Sequence, residues 1–134
     1  MKGRSVMKLV GLMVLASASL IAAAASQTPP LLPAPVAGIF QARCVKCHGG
    51  PTPASRLSLE ADKAPALLIG RTSAHKADAV LVAPGDPAGS YLLAKIQGLA
   101  GIKGRRMPIG ADPLAADDTA RISDWVKSLK PAGR

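Results

Sequence analysis

Cys44-Val45-Lys46-Cys47-His48 is the stretch of this 134-residue chain where residue type and spacing bring reactive groups together. Two thiols three positions apart, followed at once by an imidazole, form the pattern of a covalent haem attachment site. Each thiol can join one porphyrin vinyl group through a thioether. The two vinyls sit on neighbouring pyrroles, so both sulfurs must come from one short loop or helical turn. The imidazole is then held beside the ring, where it can ligate iron from one face. Other chemistries use parts of the same pattern. A thioredoxin-like dithiol also needs Cys-x-x-Cys, but it belongs to a strand-helix-strand context, and no alternating Val/Ile-rich strand precedes Cys44. A zinc cage needs about four ligands. The chain offers only Cys44, Cys47, His48 and His75, and the adjacency of Cys47 to His48 suits a tetrahedral cage poorly. A disulfide between Cys44 and Cys47 would close a tiny loop and add little stability.

An iron held by His48 has a second axial position. Met1, Met7 and Met13 lie in the N-terminal export segment described below, which leaves Met107 as the methionine of the folded part. Methionine is often a flexible gap filler in cores. Met107 instead sits in a polar Gly/Arg/Pro loop, with Pro108 stiffening the backbone just beyond it. His75 is the rival ligand, and a bis-histidine site would lower the reduction potential relative to His/Met. It lies between Ala74 and Lys76 in a polar stretch, where a solvated histidine is the plainer expectation. Arg105 and Arg106 precede Met107 and could pair with haem propionates, face an acidic partner, or stand solvated on the loop.

The elements that position these groups follow from composition and periodicity. Residues 1–25 read as a secretory signal peptide: Lys2, Arg4 and Lys8 precede the apolar run Leu9–Leu15, and small residues through Ala25 offer a cleavage site. The apolar run is short and interrupted by Ser17 and Ser19, so no stable membrane span is expected after cleavage. Residues 26–35 form a proline-rich leader of extended character. The domain proper spans 36–131. Its first helix starts near Pro35 and runs to about Cys47, with Val36, Ile39, Phe40 and Arg43 on one side. Gly49-Gly50-Pro51-Thr52-Pro53 ends it sharply. A short apolar helix is expected around 60–69, starting near Pro65, and residues 71–79 read as polar loop. Asp86 and Pro87 look like the N-cap and first residue of a helix with the apolar face Leu92, Leu93 and Ile96, ending near Gly98. After the glycine-rich basic loop 98–113, Ile122, Trp125, Val126 and Leu129 fall at i, i+3, i+4 and i+7 on a helix from about 115 to 130, stopped by Pro131. Asp117 and Asp118 suit its positive end, and Trp125 is expected to pack near Phe40.

Seventeen basic residues stand against eight acidic ones. Three of the basic residues, and none of the acidic ones, lie in the signal segment, so its removal leaves a formal charge of +6. A basic protein of this kind is steered toward acidic partner surfaces, with strong salt dependence. Nucleic acid is a poor partner for an exported chain whose basic residues are scattered among three aromatics, Phe40, Tyr91 and Trp125. Both cysteines lie in the one motif, so no disulfide framework remains to hold the fold.

The Cys44-x-x-Cys47-His48 pattern resembles that of the c-type cytochromes. The wider series Phe40…Cys44-x-x-Cys47-His48-Gly49, Leu57-Ser58-Leu59, Val82-Ala83-Pro84-Gly85-Asp86-Pro87…Ser90-Tyr91-Leu92, Arg106-Met107-Pro108 and Leu114…Ile122…Trp125-Val126 is similar to a small monohaem cytochrome c-like domain family, class I-like. The resemblance covers nearly all of residues 36–130. It implies an all-α fold of about four helices packed around one covalently attached haem c. It also implies His48 and Met107 as axial ligands of the iron. Family members often read Met-Pro-Pro, and here Ile109 follows Pro108. They commonly carry a glycine where Val36 stands, with Gly38 nearby here, so the crossing of the terminal helices is expected to be wider or shifted. His48 should donate its second ring nitrogen to a backbone carbonyl, with Pro65 as a candidate. The expected function is a periplasmic one-electron carrier, not an enzyme, serving redox partner proteins with acidic docking surfaces. The alternatives are a haem c subunit of a larger periplasmic oxidoreductase, or a peroxidase-like or gas-binding haem protein in which the Met107 position is open.

Overall fold

Residues 31–131 are described in the computed structural model of the chain. The proposed signal peptide and the first part of the leader lie outside them. The first helix, α1 (Ala34–Arg43), begins two residues before the expected domain start. Pro35 sits in its first turn, where an amide would have no intrahelical acceptor in any case. The helix ends at Arg43, short of the expected Cys47, and Cys44–His48 continue as turns. The second helix, α2 (Ala64–Leu68), also takes its proline in the first turn, at Pro65. The third, α3 (Tyr91–Gln97), ends on Gly98 at φ 69°, a left-handed position that favours glycine. The last, α4 (Ala116–Ser128), carries Asp117 and Asp118 in its first turn and has no side-chain cap at Ala115.

The all-α expectation is overturned. Between α2 and α3 the chain forms an antiparallel ribbon of β1 (Thr72–Ser73) and β2 (Lys76–Val80), inside the segment read from sequence as loop. The pairing runs Thr72 with Val80 and Ser73 with Lys76, with an irregularity between Thr72 and Ser73. The reversal falls at Ala74-His75, where the buried Ser73 accepts the His75 amide on its hydroxyl at 3.3 Å. The ribbon holds because its open end merges with the core. Leu81 N–H donates to Arg71 O at 2.7 Å, Gly70 N–H to Val82 O at 2.9 Å, and Val82 N–H to Leu68 O at 3.1 Å. Leu68 and Val82 are fully buried, so the backbone bonds there are shielded from water. The architecture is four helices with a two-stranded ribbon, a small mixed α/β arrangement.

Residues from all four helices build one core. Val36, Ile39 and Phe40 of α1 join Ala64 and Leu68 of α2, Leu93 and Ile96 of α3, and Ile122, Trp125 and Val126 of α4. Helix α4 touches both α1 and α3. Phe40 and Trp125 meet edge to face, with ring centroids 6.3 Å apart and planes at 88°, the geometry that sets a positive ring edge on a negative face. The α1 surface uses Val36, 2% exposed, as a core residue. A Cβ on Gly38 would meet nothing within 4 Å, so that glycine marks no close helix crossing.

The start of α3 also departs from expectation. Asp86 and Pro87 do not open the helix. Asp86 Oδ1 accepts the Gly89 amide at 2.9 Å and closes a turn. Ser90 precedes the helix instead, and its buried hydroxyl donates to Asp86 O at 2.8 Å while accepting the Ala83 amide at 2.9 Å. Those bonds fold residues 83–90 into a closed loop and delay the helix to Tyr91.

Candidate haem site

The motif is one turn of chain laid on the end of α1. Phe40 O accepts the amides of Cys44 at 2.8 Å and Val45 at 2.9 Å, and Cys44 O accepts those of Cys47 at 3.1 Å and His48 at 2.8 Å. Both thiols and the imidazole therefore share a single winding that starts from a fully buried phenylalanine. Gly49 makes the exit possible: a Cβ there would stand 2.7 Å from the carbonyl oxygen of Val45 and 2.6 Å from its Cγ1. Both cysteines are free thiols, Cys44 half-buried and Cys47 exposed. Burial pushes the Cys44 thiol up to about 11, with Cys47 adding to the rise and Arg43 opposing it. A resting nucleophilic thiol needs the reverse shift. The motif also follows a helix C-terminus, whose partial negative charge disfavours a thiolate. Both observations weigh against a dithiol redox pair.

The imidazole is gripped from behind. His48 Nδ1 lies 3.1 Å from Ala54 O and 3.2 Å from Leu57 O. Two carbonyls can only accept, so Nδ1 carries a proton, and in the neutral ring the lone pair is on Nε2. Pro65, the expected acceptor, instead accepts the Ile69 amide within α2 at 3.0 Å. The backbone ties the same loop to the motif, since Cys47 O accepts the Ala54 amide at 2.8 Å and His48 O accepts the Leu59 amide at 2.7 Å. The loop holds strain where it does so: Ser55 and Arg56 lie at φ 57° and 55°, uncommon for residues with a Cβ. Glu60 braces its base, accepting from the Gly50 amide at 3.3 Å, from the Ser58 hydroxyl at 3.0 Å and from Lys63.

His75 belongs to this same side. Its Nε2 lies 2.8 Å from Ser55 Oγ, and Ser55 sits between the two residues whose carbonyls hold His48. The ribbon turn thus puts His75, exposed, against the loop that supports His48.

Met107 comes from the other end of the chain. Its amide donates to Lys95 O on α3 at 2.8 Å, and its residue is half-buried. Arg106 spends its guanidinium on its own loop, reaching Met107 O at 3.4 Å and Ala111 O at 3.0 Å, while Arg105 is exposed. One bond joins this loop to the motif helix: Arg43, the residue before Cys44, donates to Asp112 O at 2.8 Å. Tyr91 and Lys95 of α3 hold the loop from beneath; in the sequence Tyr91 figures only as an aromatic and in the wider resemblance, and Lys95 has no assigned role. Their only advance signal is the i, i+4 spacing that puts them on one helix face. The carbonyls of Ala54 and Leu57 left no trace in residue type at all.

The residues present fit a c-type haem. Two thiols share one turn, beside an imidazole whose Nδ1 is held by backbone carbonyls and whose Nε2 would be the ligating nitrogen. Val45, Leu57, Ile69, Leu81 and Leu92 are apolar, pack on the core and remain partly uncovered. Among the described residues no three His, Cys, Asp or Glu side chains converge to hold a bare metal ion. Among the same residues no helix is long and apolar enough to cross a membrane. Comparison with protein-family models, with curated proteins and with solved structures returned no match to this chain.

Proposed function

We propose that this protein is a single-haem, c-type one-electron carrier of the periplasm. In this reading Cys44 and Cys47 each add S–H across one porphyrin vinyl group, His48 Nε2 ligates the iron, and Met107 supplies the opposite thioether ligand. The observation that carries it is His48: its Nδ1–H is taken by two backbone carbonyls, so the ring is fixed in the tautomer that presents Nε2, on the turn that bears both thiols. The bound haem supplies the Fe(II)/Fe(III) couple, and a thioether ligand raises its potential above that of a bis-histidine site. The chain orients the ring, keeps water from its buried side and leaves an edge to partners. Lys46, Lys103 and Arg105 are exposed beside the two ligating segments and suit an acidic docking surface. The hydrogen bond that holds His75 Nε2 to Ser55 of the supporting loop favours Met107 over it as the second ligand. Export rests on the sequence of residues 1–25.

The test is to express the full chain in a bacterial host with its cytochrome c maturation machinery. The exported product should carry the mass of one haem and the reduced spectrum of a thioether-linked haem. Met107→Ala should abolish the near-infrared band of thioether-ligated ferric iron, and His75→Ala should leave it intact. A bare polypeptide would overturn the proposal. Absence of the band from the unmutated holoprotein, or its persistence in Met107→Ala, would overturn the ligand assignment.

A further inference from the structure

Four backbone groups of the loop that carries Met107 end on two residues of α3. Tyr91 Oη accepts the Lys103 amide at 2.8 Å. Lys95 Nζ donates to Lys103 O at 2.7 Å and to Arg105 O at 2.6 Å. Lys95 O accepts the Met107 amide at 2.8 Å. Lys103 is therefore fixed at both its N–H and its C=O, and the next two anchors fall on Arg105 and Met107. The loop needs such anchors. Gly98, Gly101, Gly104 and Gly110 all stand at positive φ, between 69° and 85°, and a glycine-rich segment has the most conformational freedom to lose on ordering. Lys95 is an unusual choice of staple. It is half-buried beneath a loop that already carries Lys103, Arg105 and Arg106. The ion pairs among the described residues are Lys63–Glu60 and Lys76–Asp78, so no carboxylate there neutralises Lys95. Its charge is met by carbonyl dipoles, and charge-assisted bonds of that kind are stronger than neutral ones.

We propose that Lys95, seconded by Tyr91, is the positioning clamp that keeps Met107 on the iron and so closes the sixth coordination position to small external ligands. This rests on the carrier function proposed above and adds to it the residues that decide whether the site is closed or open. Lys95→Met keeps the length of the side chain and removes its donors. Tyr91→Phe removes one acceptor and keeps the ring.

The holoprotein variants are compared by amide hydrogen exchange and by imidazole titration of the ferric form. In Lys95→Met the amides of Lys103 and Met107 should exchange roughly tenfold faster, a change equivalent to about 1.4 kcal/mol. Imidazole should bind tighter by a similar factor, and the near-infrared thioether band should weaken. The Val126 amide in α4 should be unaffected, and Lys95→Arg should recover part of the protection. Tyr91→Phe, the milder variant, should speed exchange at Lys103 selectively, which keeps the test decisive if Lys95→Met does not fold. Loaded protein in which neither the exchange of these amides nor imidazole affinity changes overturns the clamp alone. Protein that purifies without haem overturns the carrier function, and with it the role given to Met107, whatever the exchange shows.

Discussion

Phe40 links the core to the chemistry. Its side chain is fully buried, and its carbonyl accepts the amides of both Cys44 and Val45. Phe40→Ala should cost about 3–5 kcal/mol, the range for truncating a buried aromatic. Against a total stability of about 5–15 kcal/mol for a domain, that would leave a marginal fold and lower the yield of haem-loaded protein. Part of the loss belongs to the ring pair with Trp125. Edge-to-face pairs contribute about 0.5–1.5 kcal/mol beyond area burial, and a double-mutant cycle of Phe40→Leu and Trp125→Leu should return a coupling in that range. Trp125→Phe keeps an aromatic ring against Phe40 and should cost less than Phe40→Ala. Urea unfolding followed by far-UV circular dichroism measures each of these stabilities. A Phe40→Ala loss below about 1.5 kcal/mol, or strictly additive leucine variants, would mean that the α1–α4 contact does not hold the motif helix as described.

Three further outcomes follow from the loop that supports His48. Gly49→Ala would set a Cβ 2.7 Å from Val45 O, so it should destabilise by about 1–3 kcal/mol and reduce haem attachment. An unchanged urea midpoint would contradict that. Arg56→Gly should be neutral or stabilising by up to about 1 kcal/mol, because Arg56 is exposed and sits at φ 55°, where a Cβ is penalised. A clear loss of stability would show that the side chain has a role beyond its backbone. Glu60 is held below its ordinary value of 4.5, first by Lys63 and then by the Gly50 amide and the Ser58 hydroxyl. A carboxyl lowered in the folded state stabilises above that value, and its contribution is lost as pH falls below it. Amide exchange at Gly50 should therefore accelerate in acid beyond its intrinsic pH trend, and Glu60→Gln should remove the excess.

How much of this was readable beforehand depended on whether the cause was local. Helix α4 was legible because Ile122, Trp125, Val126 and Leu129 recur at helical spacing, and all four are buried. The buried side of α1 was legible for the same reason, as was its meeting with Trp125. The ribbon was not. Its strands are short and outward-facing, and its turn is Ala74-His75 rather than a pair such as Asn-Gly that announces a hairpin. What holds it is the backbone pairing of residues 68–71 with 81 and 82, a tertiary cause that no local pattern encodes. Asp86-Pro87 misled for a different reason. Both residues are good helix openers, but the inward hydroxyl of Ser90 closes a competing loop first. In the candidate site the side chains were legible and the backbone groups holding them were not. The acceptors of His48 are the carbonyls of Ala54 and Leu57, and any residue type could supply them.

The two halves of the site differ in how they are made, and that difference bears on the order of maturation. The imidazole is oriented by acceptors six and nine residues away, and the thiols share one turn. Closing such short loops costs little chain entropy, so this half can form transiently in a chain that has not folded. The Met107 half depends on contacts made late. Its loop reaches the motif helix through Arg43 and Asp112, 69 residues apart, and reaches α3 through the bonds of Tyr91 and Lys95. On the function proposed above, thioether formation would need only the local half, and Met107 would be placed once its loop is tied to α3 and α1. The basic, glycine-rich composition of loop 98–113 fits that sequence of events. A segment that docks last has to be kept soluble and adaptable until its anchors exist, and those anchors then take up the freedom its glycines retained.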